Sequence, residues 1–149
     1  MKNFLCFFAA ILFAAPLLAQ RKDENEIKAI LQAYKTKLEQ LDTSGITPLF
    51  VSGAKVYEGG TDEGGIQSYL GHHLGPELKA FKSFTFSNYQ VDVVLNEDYA
   101  YATETYLYTI VLAKDDSVIK SKGVATTVLR KTRQGWKIAL THSSFRRAK

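Results

Sequence analysis

Apolar positions along the chain fall into three regimes. Phe4 to Ala15 is an almost unbroken apolar run after the short basic start Met1-Lys2-Asn3. From Glu26 to Leu41 the apolar residues are Ile27, Ile30, Leu31, Tyr34, Leu38 and Leu41. Their three- and four-residue steps predict an amphipathic helix with one buried stripe. Asp42-Thr43-Ser44-Gly45 stops it. Ile46 to Val51 leads into Ala54-Lys55-Val56-Tyr57-Glu58, read as a short strand. Gly59-Gly60 and Gly64-Gly65 bracket Thr61-Asp62-Glu63, read as a flexible turn because the Walker pattern and its lysine are absent. Ile66 to Phe81 returns to helical spacing, with Gly75-Pro76 as a point of kinking or restart.

From Phe84 onward the period becomes two. Tyr89, Val91, Val93 and Leu95 alternate with polar residues, and Asn96-Glu97-Asp98 turns the chain. Strands are expected over 99–112, 118–130 and 136–145, separated by Lys114-Asp115-Asp116-Ser117 and Arg133-Gln134-Gly135. The order is helix, short strand, helix, then a meander of four long strands. It predicts a single α+β domain in which helices cover one face of a curved antiparallel sheet.

The first segment is set apart from that domain. A basic start, a short apolar run, Pro16-Leu17-Leu18-Ala19 and then charged sequence is the layout of a secretory signal peptide. The expected leader is 1–19, cut after Ala19 with Ala15 as the alternative, and the domain is 20–149. A membrane anchor needs about 20 apolar residues, and this run is shorter and contains a proline. Cleavage removes Cys6 and Met1, leaving a chain with no disulfide, no thiol nucleophile and no cysteine zinc site. An exported chain without disulfides points to a bacterial periplasm or to secretion.

Composition narrows the class further. The 149 residues carry a net charge of +4, with scattered basic residues and 23% charged positions. No stripe of Lys and Arg interleaved with aromatics is present, so nucleic acid is not an expected partner. Seventeen tyrosines and phenylalanines, eight and nine respectively, stand beside one tryptophan. On the strand 99–112, Tyr99 and Tyr101 face opposite Tyr106 and Tyr108, so one set can line a small-molecule pocket while the other forms an interface.

The helix ending at Leu41-Asp42, followed by Pro48-Leu49-Phe50, Ala54-Lys55-Val56 and Gly135-Trp136-Lys137-Ile138, resembles the nuclear transport factor 2 superfamily. The SnoaL-like and ketosteroid-isomerase-like branches are nearest, within an exported bacterial group, and the likeness spans about residues 24–146. The resemblance implies a cone, a strongly curved sheet wrapping a pocket plugged by helices, and a homodimer through the outer sheet face. In the isomerase branch a helix tyrosine and a late-strand aspartate stabilise an oxyanion, and an acid after the first strand is the base. Those roles fall on Tyr34, Thr127 and Glu58 here. A threonine in place of the aspartate weakens the donor pair, which argues against steroid isomerisation itself.

Candidate chemistry gathers on few residues. Tyr34, Glu58 and His142 are the candidate catalytic groups; His73, Glu104, Tyr106, Thr127 and Trp136 are the candidate ligand contacts. Against Tyr34 with Glu58 stands a structural reading, in which the tyrosine packs on its stripe and the glutamate is a solvated turn residue. Neighbours on a helix, His72 and His73 point about 100° apart, so one of them is expected to face the pocket. His142 shares strand parity with Trp136, Ile138, Leu140 and Ser144, and Glu104 shares parity with Ala102 and Tyr106. One helix histidine, His142 and Glu104 together would form a zinc or copper site, a base-and-orienter pair, or a polar network closing the cone. The leading expectation is an exported, homodimeric domain that binds a small apolar molecule without a cofactor, with acid–base chemistry in its pocket. The rivals are a non-catalytic assembly module and a periplasmic metal-binding protein.

Overall fold

The computed structural model describes residues 4–148, with side chains from 18 onward. Most of the expected leader, including Cys6 and the alternative cut at Ala15, lies outside the described side chains. Helix α1 spans Phe4–Glu39. A 3-10 turn at Thr47–Leu49 leads into strand β1 (Phe50–Glu58) and strand β2 (Thr61–Gly65). A second helical stretch follows as α2 (Ile66–Tyr69), a π turn (Leu70–Leu74) and α3 (Gly75–Ala80). The meander is β3 (Phe81–Asn96), β4 (Tyr99–Leu112), β5 (Val118–Thr132) and β6 (Gly135–Arg147).

The six strands form one open sheet in the order β2-β1-β6-β5-β4-β3. All neighbours are antiparallel except β1 and β6, which run parallel, so the sheet is mixed rather than purely antiparallel. Parallel neighbours cannot be joined by a hairpin. Here the chain between them supplies the second helical stretch and the other four strands. The segment 59–65, expected to be a loose turn, contributes β2 through pairs such as Glu58 with Thr61 and Val56 with Gly64.

Curvature has local causes. Register shifts interrupt β3 between Ser87 and Gln90, where Asn88 takes a φ of 51°. A second shift separates Val128 and Leu129 on β5, which pair with Leu140 and Ile138 and leave Ala139 as an extra residue on β6. Each inserted residue bends its strand and exchanges the faces beyond it.

Helix α1 lies in the concave side and buries Ile27 and Leu31 against Ile46, Leu129 and Ile138. Acidic side chains hold it at two places along its length. Glu26 accepts the backbone N–H of Trp136 (2.9 Å), and Asp23 accepts the indole Nε1–H (3.1 Å) and the Lys131 ammonium (2.8 Å). At the other end Glu39 accepts the N–H of Phe86 (2.9 Å). The two backbone contacts, at Trp136 and Phe86, satisfy strand N–H groups that face the helix rather than another strand.

Candidate functional site

Between α1, the second helical stretch and the concave sheet lies a cavity of about 500 Å³. Leu31, Tyr34, Lys35 and Leu38 form its helical wall. Aromatic rings from β3 and β4 form another: Phe84 and Phe86 stack at 4.8 Å, Tyr106 meets Phe86 edge-on at 5.2 Å, and Tyr89 lies parallel to Tyr106 at 6.5 Å. The Tyr106 ring rests directly on Gly123, where a Cβ would overlap it, so glycine is required there by close approach rather than by backbone angle. Lys35 pairs with Glu39 (3.3 Å) while its ammonium lies 5.6 and 5.4 Å from the Phe86 and Tyr89 rings.

Two carboxyl groups enter this aromatic space with different company. Glu104 is 8% exposed, and its partners are hydroxyls: Tyr89 donates to Oε2 at 2.6 Å and Thr127 to Oε1 at 3.3 Å. Thr127 also lies 3.2 Å from the Thr141 hydroxyl. Burial pushes the Glu104 carboxyl above its ordinary range, and the two hydroxyl bonds oppose that shift. Glu58, at the end of β1, accepts the Tyr69 hydroxyl at 2.7 Å and lies 3.5 Å from Nε2 of His73. Tyr34 and Tyr69 titrate well above the ordinary tyrosine range, first because they are buried and further because Glu58 places negative charge nearby. Both hydroxyls are therefore held as donors.

At the rim, the π turn carries His72 and His73. Gly75 N–H reaches the Leu70 carbonyl, five residues back, which widens the helix ahead of Pro76. Proline at that place collides with the carbonyl four residues earlier in a regular helix, and the wider turn removes the conflict. Nδ1 of His73 lies 3.0 Å from Oε1 of Glu63, and Nε2 of His72 lies 3.0 Å from Oε2 of the same carboxylate. Only His73 lines the cavity.

Of the residues singled out from sequence, Tyr34, Glu58, His73, Glu104, Tyr106 and Thr127 line the cavity. Two do not. The extra residue Ala139 reverses parity on β6, so Thr141, Ser143 and Phe145 face inward, and His142 is exposed on the outer face beside Tyr57 (ring centroids 6.4 Å apart). Trp136 is buried, but beneath α1 against Asp23 rather than in the cavity. His142 and Glu104 thus lie on opposite faces, and the expected trio with a helix histidine does not form. Among the described residues, no group of three or more His, Cys, Asp and Glu is arranged to hold a metal ion. Sequence reasoning missed Tyr69, Glu63 and Glu77; the helical spacing gave Tyr69 an inward face, whereas nothing local distinguished the two glutamates.

A SnoaL-like domain model matches residues 27–148. No curated protein sequence matches the chain. Among solved structures, a nuclear transport factor 2-like superfamily protein from Salmonella enterica serovar Typhimurium superposes with a TM-score of 0.78 at 19% identity, covering 87% of this chain and 94% of that one. A candidate dehydratase of the same superfamily from Streptomyces avermitilis gives 0.73 at 20% identity, covering 86% and 99%. A candidate ketosteroid isomerase from Shewanella frigidimarina gives 0.67 at 22% identity, covering 78% and 92%. Likeness at these identities establishes the shared cone fold.

Proposed function

The chain belongs to the SnoaL-like family, and we propose that its cavity binds a small, largely apolar molecule and moves a proton on it. One observation carries this reading: Glu58 and Glu104 project into one aromatic cavity in unlike surroundings. Such a pair divides acid and base roles between its members. Glu58, bonded to one hydroxyl and close to an imidazole, is the proton acceptor. Glu104, whose carboxyl burial pushes upward, is the proton donor to a ligand oxygen. Its Thr127 partner is loosely held and has Thr141 as an alternative, so Oε1 is free to turn toward a ligand. Tyr34 adds a second donor, and the ligand body packs on Phe84, Phe86 and Tyr106. The volume suits this use, since small-molecule sites occupy roughly 300–1,000 Å³. Structural neighbours described as a candidate isomerase and a candidate dehydratase support proton-transfer chemistry.

The basic start and apolar run support export to a bacterial periplasm or beyond, with residues 1–19 removed. Mass spectrometry of protein recovered from the periplasm and medium tests this, with a chain beginning at Gln20 as the expected product.

The probe for the site is 2-tetralone, an apolar ketone with exchangeable protons beside its carbonyl. In heavy water the protein is expected to accelerate their exchange, as followed by proton NMR. Glu58→Gln should lower that rate by about 10²–10⁴-fold while 2-tetralone binding persists. Exchange no faster than in buffer, or a Glu58→Gln protein as fast as the unmodified one, would refute the assignment.

A second reading, self-association without catalysis, is favoured by a row on the outer sheet face. Val94 and Tyr101 pair across β3 and β4, Tyr101 pairs with Val128 on β5, and Val94 and Tyr101 are about half exposed. Sedimentation equilibrium decides it: a homodimer is expected, and Tyr101→Lys should give a monomer.

A further inference from the structure

Resting on the reading of the cavity as a ligand site, we propose that Lys35 anchors an anionic end of the ligand, so that the molecule bound is a small apolar monocarboxylate. Lys35 stands on the inward stripe of α1, one residue after Tyr34 and three before Leu38, and among the described residues it is the only lysine or arginine lining the cavity. A helix lysine ordinarily carries its ammonium out to water along its aliphatic stem. Lys28 and Lys37 on the same helix do so in part, with side chains 39% and 31% exposed, whereas that of Lys35 is 13% exposed. Its ammonium reaches instead toward the Phe86 and Tyr89 rings, 5.6 and 5.4 Å from their centroids. Both rings line the cavity.

The contacts present do not use up this charge. An ammonium has three N–H donors, and the one hydrogen bond Lys35 makes among the described residues is to Oε2 of Glu39, at 3.3 Å. A lysine placed four residues before its glutamate is also the weaker order for a helix pair. Glu39 is fixed from elsewhere, since its Oε1 accepts the Phe86 N–H at 2.9 Å, so Lys35 can turn to a ligand without releasing α1 from β3. Ring faces attract a cation but accept no strong hydrogen bond from it. A ligand carboxylate supplies that acceptor, and charge-assisted bonds are the strong ones. The single charge sets the ligand class. Three glutamates, Glu58, Glu77 and Glu104, line the same cavity, so a monoanion is matched at Lys35 whereas a dianion such as a phosphate ester is not. Sheet order keeps the carboxylate away from the proton acceptor, because Phe86 and Tyr89 belong to β3 and Glu58 to β1, four strand positions away. Glu104 is tied to the same end through the Tyr89 hydroxyl at 2.6 Å, and as the proton donor of the proposed function it adds no competing charge there.

Calorimetric titration at neutral pH with 2-naphthoate and with 2-naphthamide, its uncharged isostere, tests this. The unmodified protein is expected to bind 2-naphthoate at least about tenfold more tightly. Lys35→Met, which keeps the apolar stem, should erase that preference by weakening 2-naphthoate about tenfold while 2-naphthamide binding holds. Glu39→Gln removes the competing charge and leaves an oxygen for the Phe86 N–H, so it should widen the preference. Equal binding of the two probes by the unmodified protein, or a preference for the amide, overturns the anchor, and so does a preference that survives in Lys35→Met. Should Lys35→Met not fold, Glu39→Gln decides, and a preference it fails to widen overturns the proposal. Binding of neither probe overturns it too. The 2-tetralone exchange separates the two assignments. Exchange without a preference for 2-naphthoate refutes the anchor alone, whereas the preference without exchange refutes proton transfer alone.

Discussion

The hydroxyl of Thr127 donates to Oε1 of Glu104 across the β4–β5 pair, at 3.3 Å. The isomerase-like pattern calls for a carboxylic acid at position 127, and the sequence offers a threonine. In space that carboxyl is supplied from the neighbouring strand, close to the register pair Ala102–Thr127. In the proposed function Glu104 is the donor at this end of the cavity, with Thr127 in support of the acid.

Burial raises the Glu104 pKa, so the native state holds the proton more tightly than the unfolded chain does. Stability consequently falls as pH rises from the unfolded to the native pKa, and the full loss is present above the latter. Each unit between the two is about 1.4 kcal/mol. Glu104→Gln escapes this loss. Urea unfolding should show the variant at least as stable as the unmodified protein at neutral pH, with the advantage gone below about pH 4. A variant less stable at neutral pH than in acid, relative to the unmodified protein, would contradict this.

Gly123→Ala should cost about 1–3 kcal/mol, because its methyl group enters the space held by the Tyr106 ring. The ring can move only toward the cavity, so 2-tetralone binding should weaken in parallel. Urea midpoints and calorimetric titration check both effects, and an unchanged midpoint would mean that the ring yields freely.

Asp23 is held below the ordinary aspartate range by its bonds from Lys131 and Trp136. A carboxyl with a lowered native pKa stabilises the fold above its unfolded pKa and ceases to do so as pH falls through the native one. Asp23→Asn should be destabilised at neutral pH, and the gap from the unmodified protein should close in acid as pH falls below the ordinary aspartate range. Thermal melts across that window measure it.

His142→Ala should change stability by no more than about 0.5 kcal/mol and leave 2-tetralone binding intact, since the ring sits on the outer face. Loss of binding would place His142 in the site after all.

Where the sequence was informative, the signal was local. The apolar stripe Ile27, Leu31, Tyr34, Leu38 needs only its own helix to be recognised, and the turns at 96–98 and 133–135 carry their own polar or glycine chemistry. The parity of β6 failed beyond Ala139 because the inserted residue answers to its pairing with Val128 and Leu129 on another strand. For β2, five polar and glycine-rich residues gave no alternation, and pairing with β1 makes them a strand. Glu63 read as a turn residue for the same reason, since its burial is the work of histidines nine and ten residues later. Glu104 was recognisable as an inward charge because β4 keeps an unbroken period of two.

Strand β6 lies at the centre of the sheet although it follows the other five strands along the chain, and β1 has no neighbour other than β2 until it arrives. A nascent chain lacking β6 holds one hairpin and a three-stranded sheet with no strand to join them. Closure must therefore await β6, and contacts between such distant segments form slowly. In the interval the apolar inner faces stand open, so a truncated product is expected to aggregate rather than to persist as a smaller folded unit.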